Sequence, residues 1–339
     1  MNNLFIALST HHLKYCEKIA DLDKTSNNII ITNSGFNVDT KIFDRIVFLN
    51  KSAYNQSNSF ISKAKHIIDK SRSYSKAVNE ISDLKNAERI RLYYSSLEDI
   101  LSNYLLFNFN KNVEGIVIED GVLNYYEHTL EDVSKLTFNL KKLIGLAYGL
   151  KLKNYEGHTT GIDYDLVKCQ LVREPSYSIR PQKSARLPLD SRKLSGLNNN
   201  ILIVGQEPYG NMYGKRIYID KLKQLISHIN LNTSFKPSKT VYYKPHRHGP
   251  RIDVNTIKEA LPNNHFIYLD NEVGMEDLFF ENIKCKNIYT FDSSAVFSIY
   301  SEAPDKFKDQ LNIYVMPFHR SVLNKLFKQL KFTILNNDI

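Results

Sequence analysis

The feature that most constrains the fold is a repeated alternation of short apolar runs with segments of helical periodicity. In the first half, runs rich in Ile, Val, Leu or Tyr predict strands at residues 4–8, 28–32, 45–49, 89–94 and 116–118. Residues 13–20 and 57–82 carry apolar side chains at the three- and four-residue intervals of a helix, whereas residues 159–179 show no regular pattern. Strands that alternate with helices are typical of a parallel α/β sheet.

The same alternation returns in the second half of the 339-residue chain. Strands are predicted at 200–204, 240–243, 266–269, 287–291 and 312–315, and helices at 218–229, 256–261, 275–280 and 321–332. Residues 180–200 carry Pro181, Pro188 and Gly196, which is the composition of a linker. We therefore expect two α/β domains, at residues 1–185 and 198–339, whose strand ends face each other across a cleft.

Charge and cysteine content narrow the class of protein. A net charge of +9 and a pI near 9.1 favour anionic partners: nucleic acid, an anionic membrane face or an acidic substrate. The lysines are scattered, so a basic nucleic-acid-binding protein stays open only as an alternative class.

Three distant cysteines argue against a zinc site or a disulfide framework and favour a reducing compartment: Cys16, Cys169 and Cys285. No apolar run approaches about 18 residues and none resembles a signal peptide, so we expect a cytoplasmic protein, or one peripheral to a membrane.

Two adjacent carboxylates stand where one predicted strand ends. Glu119-Asp120-Gly121 follows Ile116-Val117-Ile118 directly. Ligands of open α/β sheets bind outside the carboxyl ends of the strands. Like charges held close together raise the pKa of one of them, as a general base near neutral pH requires. Taken alone, the tripeptide also fits a turn with two solvated acids.

Two basic or hydroxyl-rich loops stand at strand ends in the second half. Residues 244–248 read Lys-Pro-His-Arg-His, and such a loop attracts phosphate oxygens. Ser293-Ser294 opens a predicted helix, where hydroxyls and free N–H groups bind anions. Each loop also has a simpler explanation: residues 244–248 fit a basic surface loop, and Ser293-Ser294 fits an ordinary N-cap. An acidic site followed by two phosphate sites nevertheless indicates a glycosyltransferase, with the acceptor in one domain and an activated donor in the other.

The ordered set of motifs resembles a known group of enzymes. Glu119-Asp120-Gly121, Lys244-Pro245-His246 and Ser293-Ser294 are similar to the acidic-acidic-Gly, His-Pro and Ser-Ser motifs of bacterial sialyltransferases, of the capsule polysialyltransferase and lipooligosaccharide sialyltransferase type. The Gly205-Gln206 loop and the segment around Glu276 are similar as well. One position departs from the pattern: the proline precedes His246 instead of following it, which leaves His248 as a rival for the same role.

The resemblance implies a GT-B fold, with two Rossmann-like domains, and an inverting sialyltransferase that uses CMP-sialic acid without metal or cofactor. It implies that Glu119 deprotonates the acceptor, that Asp120 positions the acceptor or tunes Glu119, and that His246 acts on the departing phosphate. The implied donor-binding residues are Gly205, Gln206, Lys244, His248, Glu276, Ser293 and Ser294, and the acceptor-binding residues are Ser9, Thr10 and Asn124.

The partners follow from the same resemblance and from the charge. They are a nucleotide-sugar donor and a glycan acceptor, a terminal galactose or sialic acid of a capsule or lipooligosaccharide, with an anionic acceptor favoured by the net charge of +9. Contact with an anionic inner membrane is a further expectation, and nucleic acid is not an expected partner. An enzyme of the same fold that uses another CMP- or UDP-activated sugar is the alternative.

Overall fold

A computed structural model describes residues 1–50, 60–231, 239–246, 249–262, 264–269, 273–318 and 322–335. The chain divides into two compact units, Met1–Leu189 and Asp190–Ile339. The point of division falls within residues 186–197, which the sequence analysis left between its two domains. Each unit is built on one parallel sheet.

The first unit has the strand order of a Rossmann fold. Its strands are β1 (Asn2–Ala7), β2 (Asn27–Asn33), β3 (Arg45–Leu49), β4 (Ile90–Tyr94), β5 (Val113–Ile118), β6 (Val167–Val172) and β7 (Ser184–Arg186). Its α-helices are α1 (Thr10–Leu22), α2 (Phe60–Glu80), α3 (Ile100–Tyr104) and α4 (Lys135–Ala147). Among the described residues the strands pair in parallel in the order β3-β2-β1-β4-β5-β6-β7, so the order reverses between β1 and β4.

Strand β1 shows how the sheet is buried on both faces. Leu4 and Ile6 belong to a core cluster that includes side chains of α2 and α4. Phe5 and Ala7 belong to a second cluster, formed with α1. Because successive side chains of a strand point to opposite faces, a strand covered on both sides has an unbroken apolar sequence. That is why the short apolar runs were good predictors of strands.

The second unit repeats the same topology. Its strands are β8 (Asn198–Val204), β9 (Thr240–Lys244), β10 (His265–Tyr268), β11 (Cys285–Thr290), β12 (Asn312–Val315) and β13 (Thr333–Ile334). Its α-helices are α5 (Pro208–Tyr213), α6 (Lys215–Leu231), α7 (Val254–Glu259), α8 (Met275–Leu278), α9 (Ser294–Glu302), α10 (Asp305–Lys308) and α11 (Leu323–Gln329). The described strands pair in parallel in the order β10-β9-β8-β11-β12-β13, which reverses between β8 and β11.

Strand β6 lies in the stretch where the sequence showed no pattern. Gln170 is fully buried at its centre, where an apolar residue would be expected. Its side chain accepts a hydrogen bond from Asn124 at 2.9 Å and donates one to Ser184 at 2.9 Å. A buried polar side chain with partners on distant segments satisfies its hydrogen bonds but interrupts the apolar run. The strand could therefore not be recognised from local sequence.

Candidate active site

The Glu-Asp-Gly motif follows β5 and places its two carboxylates in opposite environments. Glu119 has an exposed fraction of 0%, whereas the Asp120 side chain is 49% exposed. Gly121 has a φ of +57°, a left-handed conformation that favours glycine and turns the chain directly after the two acids. Asp120 is therefore the carboxylate of the motif that meets solvent.

Glu119 is held by a buried ion pair. The Arg173 Nε donates to Glu119 Oε1 at 2.5 Å, and the Arg173 backbone N–H donates to Oε2 at 2.7 Å. The Tyr125 hydroxyl also donates to Oε2, at 2.6 Å. Burial lowers the pKa of the Arg173 guanidinium, but the charge of Glu119 raises this pKa above its usual value. Both carboxylate oxygens of Glu119 are thus engaged inside the unit, and its role toward an acceptor stays a prediction.

Asp120 has a histidine partner from the first turn of α1. The Nε2 atom of His12 lies 3.3 Å from Asp120 Oδ1, and His12 is 7% exposed. The other ring nitrogen, Nδ1, has no hydrogen-bond partner among the described residues. Desolvation raises the pKa of Asp120, but the hydrogen bond and charge of His12, with the charge of His11, lower it below its usual value. Asp120 is therefore an ionised, solvent-accessible carboxylate at neutral pH.

The residues predicted to bind the acceptor have different positions. Ser9 is partly exposed and Thr10 is exposed, at the carboxyl end of β1. Asn124 is fully buried: its side-chain oxygen accepts the Asp120 N–H at 3.0 Å and its amide donates to Gln170 at 2.9 Å. The Asn124 side chain thus shapes the turn at Asp120 and does not reach solvent, and its assignment to acceptor binding stays a prediction.

A second histidine–carboxylate pair was missed by the sequence analysis. Glu98 follows β4, the strand between β1 and β5, and its Oε1 lies 3.2 Å from the Nε2 of His128. The Thr159 hydroxyl donates to the same oxygen at 3.2 Å. These residues are 30 to 61 positions apart in the chain, so no local motif signals the pair.

The motifs of the second unit meet at the carboxyl edge of its sheet. Gly205 and Gln206 follow β8, Lys244 ends β9 with His246 two residues later, and Ser293 lies directly before α9, after β11. These three strands are neighbours, in the order β9-β8-β11. The boundary between β8 and β11 is the topological switch point, where ligands of such sheets bind. The structure thus brings these predicted donor positions to one edge.

Exposure distinguishes the residues at this edge. Lys244 and Ser293 are 5% and 2% exposed, Ser294 is exposed and His246 is partly exposed. His248 lies outside the described residues.

Ser293 is the N-cap of the nine-residue helix α9. Its hydroxyl accepts the Ala295 N–H at 3.3 Å. The ordinary-cap alternative therefore describes Ser293, whereas Ser294 is exposed to solvent. The positive end of the helix dipole and the free N–H groups of the first turn favour an anion at this point.

Two buried glutamates of the second unit concern this site, and contacts place one of them, Glu207, at the same edge. Glu207 is 1% exposed; its Oε1 accepts the Tyr243 hydroxyl at 2.5 Å and its Oε2 accepts the His246 backbone N–H at 2.6 Å. Burial raises the pKa of Glu207, although these hydrogen bonds act in the opposite direction. Glu276 is 9% exposed in helix α8, in the connection between β10 and β11. The sequence analysis named Glu276 but missed Glu207, whose partners lie 36 and 39 residues away.

Comparison with known proteins decides the family. A sequence profile described as alpha-2,8-polysialyltransferase (POLYST) matches residues 3–306, most of the chain. The chain belongs to this polysialyltransferase family. No curated protein matches it by sequence.

Solved structures show the fold of this polysialyltransferase family member. It is similar to Os79 from O. sativa, solved with UDP and deoxynivalenol-3-glucoside, at 11% identity and a TM-score of 0.56, over 100% of this chain and 86% of that one. The glycotransferase of kitacinnamycin has 9% identity and a TM-score of 0.53, over 99% and 86%. UGT2 of Phytolacca americana has 7% identity and a TM-score of 0.51, over 99% and 86%. The fold is GT-B, with two Rossmann-like domains, as the sequence predicted.

Family and fold together establish a glycosyltransferase of the sialyltransferase type, and the predicted resemblance is confirmed. The polysialyltransferase profile favours the enzyme over the nucleic-acid-binding alternative. Among the described residues, no group of three or more His, Cys, Asp or Glu side chains is placed to hold a metal ion. In the same part of the chain, no helix is both long and apolar enough to cross a membrane.

Proposed function

We propose that this polysialyltransferase family member transfers sialic acid, with inversion, from CMP-sialic acid to a terminal galactose or sialic acid of a bacterial surface glycan. The observation that carries the proposal is the ionised, half-exposed Asp120 beside His12 at the carboxyl edge of a Rossmann-like sheet. Family membership supports the sialic acid donor.

Asp120, rather than Glu119, is the proton acceptor in this proposal. The acceptor hydroxyl oxygen attacks the anomeric carbon, and its proton passes to Asp120. The bond from that carbon to the donor phosphate breaks, and its electron pair leaves with CMP. Glu119 acts through its ion pair with Arg173, which fixes the turn that presents Asp120. A positioned base of this kind contributes about 10² to 10⁴ in rate.

The donor phosphate is assigned to the second unit. Lys244, His246 and the first turn of α9, with Ser294, supply positive charge and hydrogen-bond donors for it. Ser293 holds that helix terminus, while Gly205, Gln206 and Glu276 are assigned to the nucleotide. His246 donates a hydrogen bond or a proton to the leaving phosphate, with His248 as its rival. Stabilisation of the leaving group by such donors requires no divalent metal.

Peripheral contact with an anionic membrane is a further part of the proposal. Leu136, Leu143 and Leu146 of α4 are 66%, 69% and 60% exposed, and their spacing places them on one side of the helix. Lys135 is exposed in the same helix, and the chain carries a net charge of +9. An amphipathic helix with basic residues binds anionic lipid surfaces. Co-sedimentation with phosphatidylglycerol vesicles, lost in Leu143→Ser/Leu146→Ser, tests this contact.

Product analysis tests the proposed reaction. The protein is incubated with CMP-sialic acid and a panel of galactosyl and sialyl acceptors, with EDTA and without it, and the products are identified by mass spectrometry and NMR. We expect an acceptor enlarged by sialic acid, inverted configuration and no loss of rate in EDTA. Parallel reactions with other CMP- and UDP-activated sugars test the alternative donor, and transfer from one of these alone would contradict the proposal.

A further inference from the structure

We propose that Glu207 is a positioning residue that holds the backbone of His246, so that the histidine side chain is presented to the donor phosphate. This inference rests on the proposed function, because it requires His246 to act on the donor. It adds a residue that belongs to none of the recognised motifs and that contacts the reacting groups only through His246.

The contacts of Glu207 join the loops after two neighbouring strands. Glu207 follows β8, whereas Tyr243 and His246 flank the end of β9. One carboxylate oxygen accepts the Tyr243 hydroxyl at 2.5 Å, and the other accepts the His246 N–H at 2.6 Å. The carboxylate therefore fixes the turn on both sides of Lys244 and Pro245.

The network continues behind Glu207 into the core of the unit. The Tyr243 hydroxyl lies 3.4 Å from the Tyr218 hydroxyl, which accepts the Gln206 N–H at 2.8 Å. Tyr218 and Tyr243 are fully buried. The loop after β8 and the turn after β9 are thus tied to the same two tyrosines, which belong to helix α6 and strand β9.

Close packing leaves this arrangement little freedom. A Cβ atom on Gly205 would lie 2.6 Å from the Tyr243 hydroxyl and 2.7 Å from a Glu207 oxygen. On the far side of the turn, a Cβ atom on Gly249 would lie 2.5 Å from the backbone carbon of Glu207. Real side chains do not approach so closely, so glycine is needed at both places for the chain to enclose Glu207.

The chemistry of the site explains why a carboxylate occupies it. Two donors, a hydroxyl and a backbone N–H, meet at one buried position, and a carboxylate accepts both, one on each oxygen. An amide can satisfy the same pair if its oxygen faces His246 and the Tyr243 hydroxyl becomes the acceptor of its NH₂ group. An alanine satisfies neither, and leaves the His246 N–H without its acceptor.

Steady-state kinetics of sialyl transfer test the inference. Glu207→Ala is expected to lower kcat by about tenfold or more, since small displacements of a reacting group have large effects on rate, and to change donor KM less. Glu207→Gln should restore most of the rate. In a His246→Ala background, Glu207→Ala should cause a much smaller loss, because most of its effect passes through that side chain. Glu302→Ala is the matched control: Glu302 is another buried carboxylate of the same unit, 6% exposed and paired with Arg192, and its loss should leave kcat unchanged.

The outcomes separate this inference from the proposed function. If His246→Ala transfers at the wild-type rate, the assigned role of His246 fails, whatever Glu207 does. If His246→Ala is impaired and Glu207→Ala is not, the positioning role is wrong. Additive losses in the double variant, or a Glu207→Gln variant as poor as Glu207→Ala, also overturn it. Circular dichroism checks folding, and if Glu207→Ala does not fold, Tyr243→Phe replaces it with a smaller expected loss of kcat.

Discussion

Glu119 in the first Rossmann-like unit and Glu207 in the second are both buried at the carboxyl edge of their sheets, and they are stabilised in different ways. Glu119 in the first unit is paired with the guanidinium of Arg173. Glu207 in the second unit is held by the hydroxyl of Tyr243 and the N–H of His246. A charged partner offsets the cost of burying a carboxylate more fully than neutral donors do, which is consistent with the raised pKa of Glu207.

The two arrangements prepare the edges for different chemistry. In the first unit the buried charge is matched internally, and the carboxylate left at the surface is Asp120, with its lowered pKa. In the second unit, the glutamate organises backbone around His246 and Lys244, and α9 contributes its N-terminus. One edge presents an ionised carboxylate to solvent, and the other offers positive charge and hydrogen-bond donors to an anion.

The largest expected effect separates the two acids of the first unit. Asp120→Asn should lower the rate of transfer by about 10² to 10⁴, because it removes the accessible base while keeping its shape. Glu119→Gln should keep substantial activity per folded molecule, because Glu119 contacts Arg173 and Tyr125 and not solvent. Initial rates, corrected for the folded fraction by circular dichroism, decide between them. An inactive Glu119→Gln beside an active Asp120→Asn would return the base to Glu119.

The next largest effect should be on the free energy of unfolding, through the buried ion pair of Glu119 and Arg173. Arg173→Met leaves Glu119 charged and unpaired at 0% exposure, which typically costs about 3–5 kcal/mol. The double variant Glu119→Gln/Arg173→Met removes both charges and should regain part of that loss. Urea unfolding followed by circular dichroism measures the three proteins. If Arg173→Met is as stable as the parent, the ion pair does not hold this edge together.

Local sequence was sufficient for most of the strands and for most of the motif positions, but not for β6, β7 and β13. Short apolar runs identified β1, β2, β3 and β4 because both faces of the sheet are buried. The three motifs were found because they lie at or just after the ends of other apolar runs, those of β5, β9 and β11. Strand β6 escaped because Gln170 is buried by hydrogen bonds to distant residues and not by apolar packing.

Which carboxylate faces solvent could not be predicted from the motif itself. Arg173, which holds Glu119 inside, lies 54 residues away and directly follows the unrecognised β6. His12 lies in α1, which follows β1, and β4 separates β1 from β5 in the sheet. A turn of adjacent acids has the same sequence whichever one is buried, so the assignment depends on contacts between distant strand ends.

The pH dependence of stability should have opposite signs at the two edges. Burial raises the pKa of Glu207 above the value near 4.3 of an unfolded chain, so its stabilising contribution is complete below that value and is lost as pH rises through the folded pKa. Glu207→Gln should therefore gain stability relative to the parent as pH rises from 4 to 7, by about 1.4 kcal/mol for each unit by which the pKa is raised.

Asp120 supplies the comparison for that experiment. Its pKa is lowered, so its contribution is present above about pH 3.9 and is lost as pH falls through the folded value. The stability advantage of the parent over Asp120→Asn should shrink only in the acid range. Unfolding free energies at pH 3 to 8 measure both differences, and two curves of the same sign would show that the edges are electrostatically alike.

The smallest effects should come from the two serine caps, which are matched across the units. Ser9 caps α1 by accepting the His12 N–H at 3.1 Å, and Ser293 caps α9 by accepting the Ala295 N–H at 3.3 Å. Either serine replaced by alanine should cost about 1 kcal/mol of unfolding free energy.

The kinetic consequences of the two replacements should differ. Ser293→Ala weakens the helix terminus assigned to the donor phosphate and should raise donor KM. Ser9→Ala loosens the turn of His12 and should lower kcat with little change in donor KM. Ser294→Ala, at an exposed position, should raise donor KM without loss of stability. Equal donor KM values for Ser9→Ala and Ser293→Ala would mean that the phosphate is not bound at α9. The assignment of donor binding to the edge of the second unit would then be wrong.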